Sequence, residues 1–271
     1  MAMITISRGT FSGGKALAEC LSERLGYPCL SREQVLADAA KEYGIAKKDL
    51  AAAFSEPSLL WEQVPGKRIA YLKCVTAAIL QRAEQGNLVY HGHAGHVLLR
   101  GLSHVLRVRV VADMEFRIKA AMDRLNLTRD GAVAHIERID SERRKWSRFL
   151  YGIDWEDPRL YDVVLNLERL SIGGACETII RMTTLDEFRM SASSEKTLED
   201  VTLSSRVWAA LAQNDLTRKA AVKVFAEGGR VIIEGSVGSQ KVVDAIPDVV
   251  RHVEGVKEIS NDVGVGTDWY W

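Results

Sequence analysis

The chain has 271 residues, 47% of them apolar, which is enough for one large core or two smaller ones and excludes an intrinsically disordered protein. Lys plus Arg and Asp plus Glu both number 36, so the charge balance gives no reason to expect nucleic acid or an anionic membrane as partner. Cys20, Cys29, Cys74 and Cys176 form no C-x-x-C pair, no cleavable leader opens the chain and no apolar run approaches ~18 residues, so a reduced, cytoplasmic setting without disulfides, zinc or a transmembrane segment is expected.

The apolar stretch Ile4-Thr5-Ile6 reads as a strand and residues 16–25 as a helix, with Gly9-Thr10-Phe11-Ser12-Gly13-Gly14-Lys15 between them. In such a Gly-x-x-x-x-Gly-Lys loop, backbone N–H groups turn inward around a phosphate, the helix N-terminus adds positive dipole and the lysine adds a point charge. Gly9, Ser12, Gly13, Gly14 and Lys15 are therefore candidate nucleotide-binding residues. Position 16 is Ala, where the usual loop has a Ser or Thr whose hydroxyl coordinates magnesium. Thr10 and Ser12 keep hydroxyls within the loop.

Gly26 stops the helix, residues 27–30 form an extended segment, and Ser31 is placed to cap a helix over 32–43. Residues 46–66 are irregular and precede a helical pattern carrying Ile69, Leu72, Val75, Ile79 and Leu80, ended by Gly86-Asn87. A strand over 88–91, a short helix over 94–99 and a strand over 105–111 follow, and this alternation predicts a parallel α/β sheet. His91, His93 and His96 put three imidazoles close together, but Gly92 and Gly95 signal a turn and no Asp, Glu or Cys is near, so a turn beside a nucleotide cleft explains them as well as a metal does.

Residues 114–123 and 130–149 are helical in pattern, and the second is crowded with Glu137, Arg138, Asp140, Glu142, Arg143, Arg144, Lys145 and Arg148, as in a mobile lid or a solvated face laced with ion pairs. A last strand over 161–166 and a helix over 173–182 complete a first domain, 1–184. Residues 185–200 have the composition of a polar linker. The second domain, 201–271, reads as a helix with Val207, Ala210 and Leu211, a hairpin of 222–225 and 231–233, a helix with Val242, Val243, Ile246 and Val249, and a strand over 256–259. Residues 197–271 hold 8 basic and 11 acidic side chains. The tail Asp268-Trp269-Tyr270-Trp271 suits packing on its own domain or anchoring to a partner. The expected fold class is α/β, a P-loop parallel sheet flanked by helices with a helical lid, plus a small α+β second domain.

Six ordered pieces resemble the cytidylate kinase-like family of P-loop nucleoside monophosphate kinases. They are Ile4-Thr5-Ile6-Ser7-Arg8 with Ser12-Gly13-Gly14; Ser31-Arg32-Glu33; residues 89–95; residues 112–117; Arg138-Ile139-Asp140-Ser141-Glu142-Arg143; and residues 161–166. The resemblance implies transfer of the γ-phosphoryl group of ATP, with Mg2+, to a nucleoside monophosphate by positioning and charge neutralisation. It further implies that Lys15 lies along the donor phosphates, Arg32 holds the acceptor monophosphate, and Arg117 lies against the donor base or ribose. Arg138 and Arg143 would close with the lid as catalytic groups, with Asp140 orienting a lid arginine. His93 stands where the resemblance leads one to expect an arginine, so one phosphate contact is lost or made pH dependent. Ala16 and His93 sustain a second reading, a nucleotide-binding regulator with weak or no transfer that acts by closure. Residues 197–263 resemble a BON domain through the Val222-Lys223-Val224 strand, the Gly228-Gly229 turn, residues 231–235 and residues 253–261. That implies an interaction module without catalytic residues, for which net negative charge favours a protein partner, or the kinase-like domain itself, over a lipid.

Overall fold

Short apolar runs alternating with helical periods form a parallel sheet in the computed structural model, which describes residues 2–55, 65–92 and 94–266. In chain order the first elements are β1 (Met3–Arg8), α1 (Gly14–Leu25), β2 (Cys29–Ser31), α2 (Arg32–Tyr43), α3 (Lys47–Ser55) and α4 (Pro65–Glu84). There follow β3 (Leu88–His91), α5 (Gly95–Leu98), β4 (Val105–Val111), α6 (Met114–Leu125), α7 (Arg129–Tyr151), β5 (Val163–Asn166) and α8 (Ile172–Met182). The chain continues through α9 (Ala192–Gln213), β6 (Ala221–Glu227), β7 (Arg230–Val237), α10 (Gln240–Val250) and β8 (Glu258–Val265). Contacts divide it into two compact units, Met1–Gln34 with Gly86–Ser191, and Val35–Gln85 with Ala192–Trp271.

The first unit is built on a five-stranded sheet in the order β2-β3-β1-β4-β5, every neighbouring pair parallel. Because β1 lies between β3 and β4, its carboxyl end opens between two other strand ends, the place where open α/β sheets bind ligands. Ile4 and Ile6 of β1 and Leu106, Val108 and Val110 of β4 bury against Leu17 and Leu21 of α1 and Cys176 and Ile179 of α8. That packing fixes the start of α1 over the strand ends.

The second unit holds a three-stranded sheet, β6-β7-β8, in which β6 and β7 pair antiparallel and β7 and β8 parallel. Val222, Val231, Ile233 and Val263 bury against Leu203, Val207 and Leu211 of α9 and Ile246 and Val250 of α10. The order helix, hairpin, helix, strand is as expected, with β8 running further than the four residues anticipated. Among the described residues no helix is long and apolar enough to cross a membrane.

Two expectations are corrected. The stretch expected to be irregular over 46–66 contains α3, and Pro65 opens α4, a first-turn position where a missing N–H costs nothing; residues 56–64 lie outside the described residues. The segment expected to be a linker over 185–200 forms a 3-10 turn at Asp186–Phe188 and is helical from Ala192. Serines and threonines at the start of this helix misled because several are buried or bond back to their own helix. Ser194 and Thr202 are buried, Thr202 Oγ1 donates to the Leu198 carbonyl at 2.7 Å, and Thr197 Oγ1 and Ser204 Oγ donate to Ser193 and Asp200 carbonyls at 2.9 Å. The aromatic tail lies outside the described residues.

Candidate functional site

The loop after β1 has the backbone its glycines allow. Gly13 sits at φ 88°, left-handed and without a side-chain cap, so the first N–H groups of α1 are left open to an anion. At Gly14 a Cβ would meet the Arg8 side chain at 2.8 Å, so glycine there lets Arg8 pass beneath the loop. Phe11 adopts φ 63°, a conformation that costs a non-glycine residue roughly 1–2 kcal/mol, and packs against the α6 and α7 cluster of Ile118, Ala121, Ala132 and Ile136.

The lid helices are tied to this loop through Asp140. Its Oδ1 accepts from the Thr10 N–H at 3.1 Å and the Thr10 hydroxyl at 2.7 Å, and its Oδ2 takes a guanidinium N–H of Arg117. Arg117 also donates from Nε to the Thr10 carbonyl at 2.8 Å, and its guanidinium lies where a Cβ on Gly9 would meet it at 3.4 Å. Asp140 and Arg117 thus sit at a junction of loop and lid.

Behind the loop, Arg8, Arg32 and Arg143 converge on a cavity of about 40 Å3 whose wall includes His91, Glu33 and Trp155. Arg143 Nη1 donates to the Arg8 carbonyl and the Thr10 hydroxyl, each at 3.1 Å, and stands 3.5 Å from Asp140. Burial lowers the Arg8 guanidinium from its usual range and brings Arg143 down to about 10, against which Asp140 acts on Arg143. Both stay charged at neutral pH. Three cations facing so small a space are costly until an anion enters, and the volume suits a single oxyanion such as a phosphoryl group.

A buried network holds the cavity wall. Arg8 Nη1 donates to His91 Nδ1 at 2.9 Å, which requires that nitrogen to be unprotonated; burial first, and Arg8 second, push His91 down to about 4. Arg109 Nη1 donates to the Trp155 carbonyl at 2.8 Å and lies 4.4 Å from the Trp155 ring centre. Tyr161 donates to the same carbonyl at 2.7 Å and stands 3.1 Å from Ser7 Oγ and 3.4 Å from His96 Nε2. Burial, with Arg109 next, holds His96 at about 4.

The structure therefore brings Arg32 and Arg143 of the expected site together. It leaves Lys15 and Arg138 on the surface, the first 48% exposed and 3.5 Å from Glu19, the second 60% exposed and 2.9 Å from Glu142. His93 lies outside the described residues. His91 and His96 have separate partners, and among the described residues no three His, Cys, Asp or Glu side chains could share a metal. The residues do not fit a Mg2+ ion held by the loop: Ser12 donates to the Gly9 carbonyl at 2.9 Å, Thr10 is engaged by Asp140 and Arg143, and Ala16 has no oxygen. Arg8, His91 and Trp155 were missed as site residues. Arg8 was legible as a charged residue ending a strand that carries Met3, Ile4 and Ile6, whereas Trp155 reaches the cavity from a loop with no periodic signal.

The sequence model of the cytidylate kinase-like family matches residues 3–169, and that of the BON domain matches residues 199–267. A cytidylate kinase of Ignicoccus hospitalis is 26% identical over 185 residues, 67% of this chain and 99% of that protein. A cytidylate kinase of Staphylothermus marinus is 27% identical over 176 residues, 64% of this chain and 90% of that one. Among solved structures, an uncharacterized protein from Eubacterium ventriosum shares the fold with a TM-score of 0.53 at 18% identity, covering 68% of this chain and 99% of that chain.

Proposed function

The chain belongs to the cytidylate kinase-like family, and from that membership and the arginine-walled cavity we propose that it is a nucleoside monophosphate kinase with a cytidylate-type acceptor. The convergence of Arg8, Arg32 and Arg143 on an oxyanion-sized space carries the reading. An oxygen of the acceptor phosphate attacks the γ-phosphorus of ATP, the bond to the β,γ-bridging oxygen breaks, and ADP leaves beside a nucleoside diphosphate. Nothing covalent is asked of the protein, so its contribution is placement and charge.

In this reading Gly9, Ser12, Gly13 and Gly14 cradle the donor phosphates at the open start of α1, and Lys15 exchanges Glu19 for one of them. Arg8 and Arg32 hold the acceptor phosphate, and Arg143 stands between acceptor and donor. Asp140 orients Arg143 and Arg117, the latter against the donor base or ribose, and Arg138 swings from Glu142 as the lid closes. Mg2+ enters only with the donor nucleotide, since both hydroxyls of the loop are already engaged and Ala16 has none. The BON module adds a contact for a protein or lipid partner, and the setting is cytoplasmic. A second reading, a nucleotide-binding regulator without efficient transfer, is favoured by Ala16 and by the engagement of both loop hydroxyls.

Transfer from ATP with Mg2+ to a panel of ribo- and deoxyribonucleoside monophosphates tests the proposal. Turnover of one acceptor, lost in Lys15→Ala and Arg143→Ala, is the expected result. ATP binding without transfer to any acceptor overturns it in favour of the regulator.

A further inference from the structure

Two cysteines meet inside the unit built on the five-stranded sheet. Cys20 lies on α1 and Cys176 on α8, and both pack into the core that joins those helices to β1 and β4. Contacts on either side of them fix how the two helices face each other. At the start of α1, a Cβ on Gly13 would meet Leu167 at 3.1 Å and Ile172, the first residue of α8, at 3.7 Å. One turn beyond Cys20, Arg24 Nη2 donates to Glu177 Oε2 at 2.6 Å, and the same guanidinium hydrogen-bonds the Cys176 sulfur. Residues 20 and 24 stack at i, i+4 on α1, so the stripe that brings Arg24 to Cys176 and Glu177 brings Cys20 there as well. The Cys20 and Cys176 thiols hydrogen-bond to one another.

The pair is unequal. Cys20 is half-buried, whereas Cys176 is fully buried and its thiol is raised from its usual range, by burial first and by the bond with Cys20 second, against the pull of Arg24. A small solute therefore reaches Cys20 before Cys176. The other cysteines have different surroundings: Cys29 senses the charges of Glu19, Arg8 and Lys15, and Cys74 belongs to the other unit. Packing alone asks only for a small apolar group at each place. Hydrogen-bonded thiols on two facing helices have a chemistry that such groups lack.

We propose that Cys20 and Cys176 form a redox site: on exposure to a peroxide they close a reversible disulfide that ties α1, the helix that begins at the phosphate loop, to α8. The Cys20 sulfur attacks one peroxide oxygen, the O–O bond breaks, and the departing oxygen takes the Cys20 proton and leaves as water or an alcohol. Cys20 is then a sulfenic acid. The Cys176 sulfur attacks the Cys20 sulfur, the S–O bond breaks, and hydroxide leaves with the Cys176 proton as water. The two thiols lose two electrons and the peroxide gains them. An S–S bond of ~2.05 Å is within reach of hydrogen-bonded thiols by side-chain rotation and a small approach of the helices. The site stands whether or not the chain transfers phosphate.

The test treats the full chain, and its Cys20→Ser and Cys29→Ser variants, with hydrogen peroxide, blocks remaining thiols by alkylation, and follows intact mass and the peptide map without reductant. The wild type is expected to lose the mass of two hydrogens as a monomer, to yield a peptide joining Cys20 to Cys176, and to recover both thiols in dithiothreitol. Cys29→Ser should do the same, and Cys20→Ser should form no such bond. Amide exchange of residues 17–25 should slow about 10-fold or more in the oxidised wild type and return on reduction. The wild-type map decides the matter even if a variant fails to fold. A bond to Cys29 or Cys74 or between molecules, over-oxidation of Cys20 without a bond, or no reaction where free cysteine becomes cystine overturns the proposal. So does a bond that forms and leaves exchange in α1 unchanged.

Discussion

The two units bury different chemistry. Every buried His, Arg and Asp among the described residues, namely His91, His96, His104, Arg109 and Asp140, lies in the unit built on the five-stranded sheet. The buried polar side chains of the other unit are hydroxyls: Ser194, Thr202, Ser205 and Thr217. Hydroxyls can be satisfied by the nearest carbonyl, as Thr202 and Thr217 are, and cost little to enclose. Buried charge costs several kcal/mol unless it is paired. The first unit bears that cost where its guanidiniums face an oxyanion-sized cavity, while the second spends its burial on apolar packing. One region is arranged for a ligand's charge and the other for rigidity.

The largest effect expected from breaking this contrast is at Arg143. Arg143→Ala should lower kcat on the order of 10³-fold with the fold retained by circular dichroism, the range for an arginine that neutralises a transferring phosphoryl group. Arg143→Lys should recover little, because a point charge does not replace a fork already bonded to the Arg8 carbonyl and Thr10. Acid comes next. His91 and His96 are neutral in the fold down to about 4, whereas the unfolded chain takes up protons from about 6.5. The unfolded state therefore binds more protons in that window, and stability falls as pH is lowered through it, by about 2 kcal/mol per histidine at pH 5. Denaturant titrations at pH 7 and 5 should show the loss, and His96→Gln should remove part of it.

The second unit should answer differently. Leu211→Ala, at a side chain 1% exposed, should cost about 2–5 kcal/mol of stability while leaving kcat for the remaining folded enzyme unchanged. The smallest effect is at Arg138, whose exposed pair with Glu142 is worth within about 0.5 kcal/mol, so Arg138→Ala should leave the denaturation midpoint in place. A rate loss in that variant would then report movement of Arg138 with the lid.

The loop was legible because its chemistry is local: glycines at fixed spacing between a strand and a helix can be read without knowing what lies opposite. So was the parallel sheet, from short apolar runs separated by helical periods. Arg143 and Asp140 could be read from sequence only with the help of a family pattern, since a helix carrying Glu137, Asp140 and Glu142 among its arginines looks like a solvated face. What separates Arg143 from Arg138 is which side of α7 meets the loop, a tertiary fact that sends one guanidinium to the Arg8 carbonyl and the other to Glu142. The start of α9 was misread for a physical reason as well. Serine and threonine ordinarily mark loops, but on this helix Thr197 and Thr202 bond back to their own turns.

Calorimetric titration of wild type and Arg8→Ala with CMP and with cytidine shows whether the arginine-walled cavity takes the phosphoryl group of a mononucleotide. Wild type is expected to bind CMP on the order of 10²-fold more tightly than cytidine, and Arg8→Ala to lose most of that difference while its affinity for cytidine is unchanged. Equal affinity of the wild type for CMP and cytidine, or a preference that survives in Arg8→Ala, would contradict that role of the cavity.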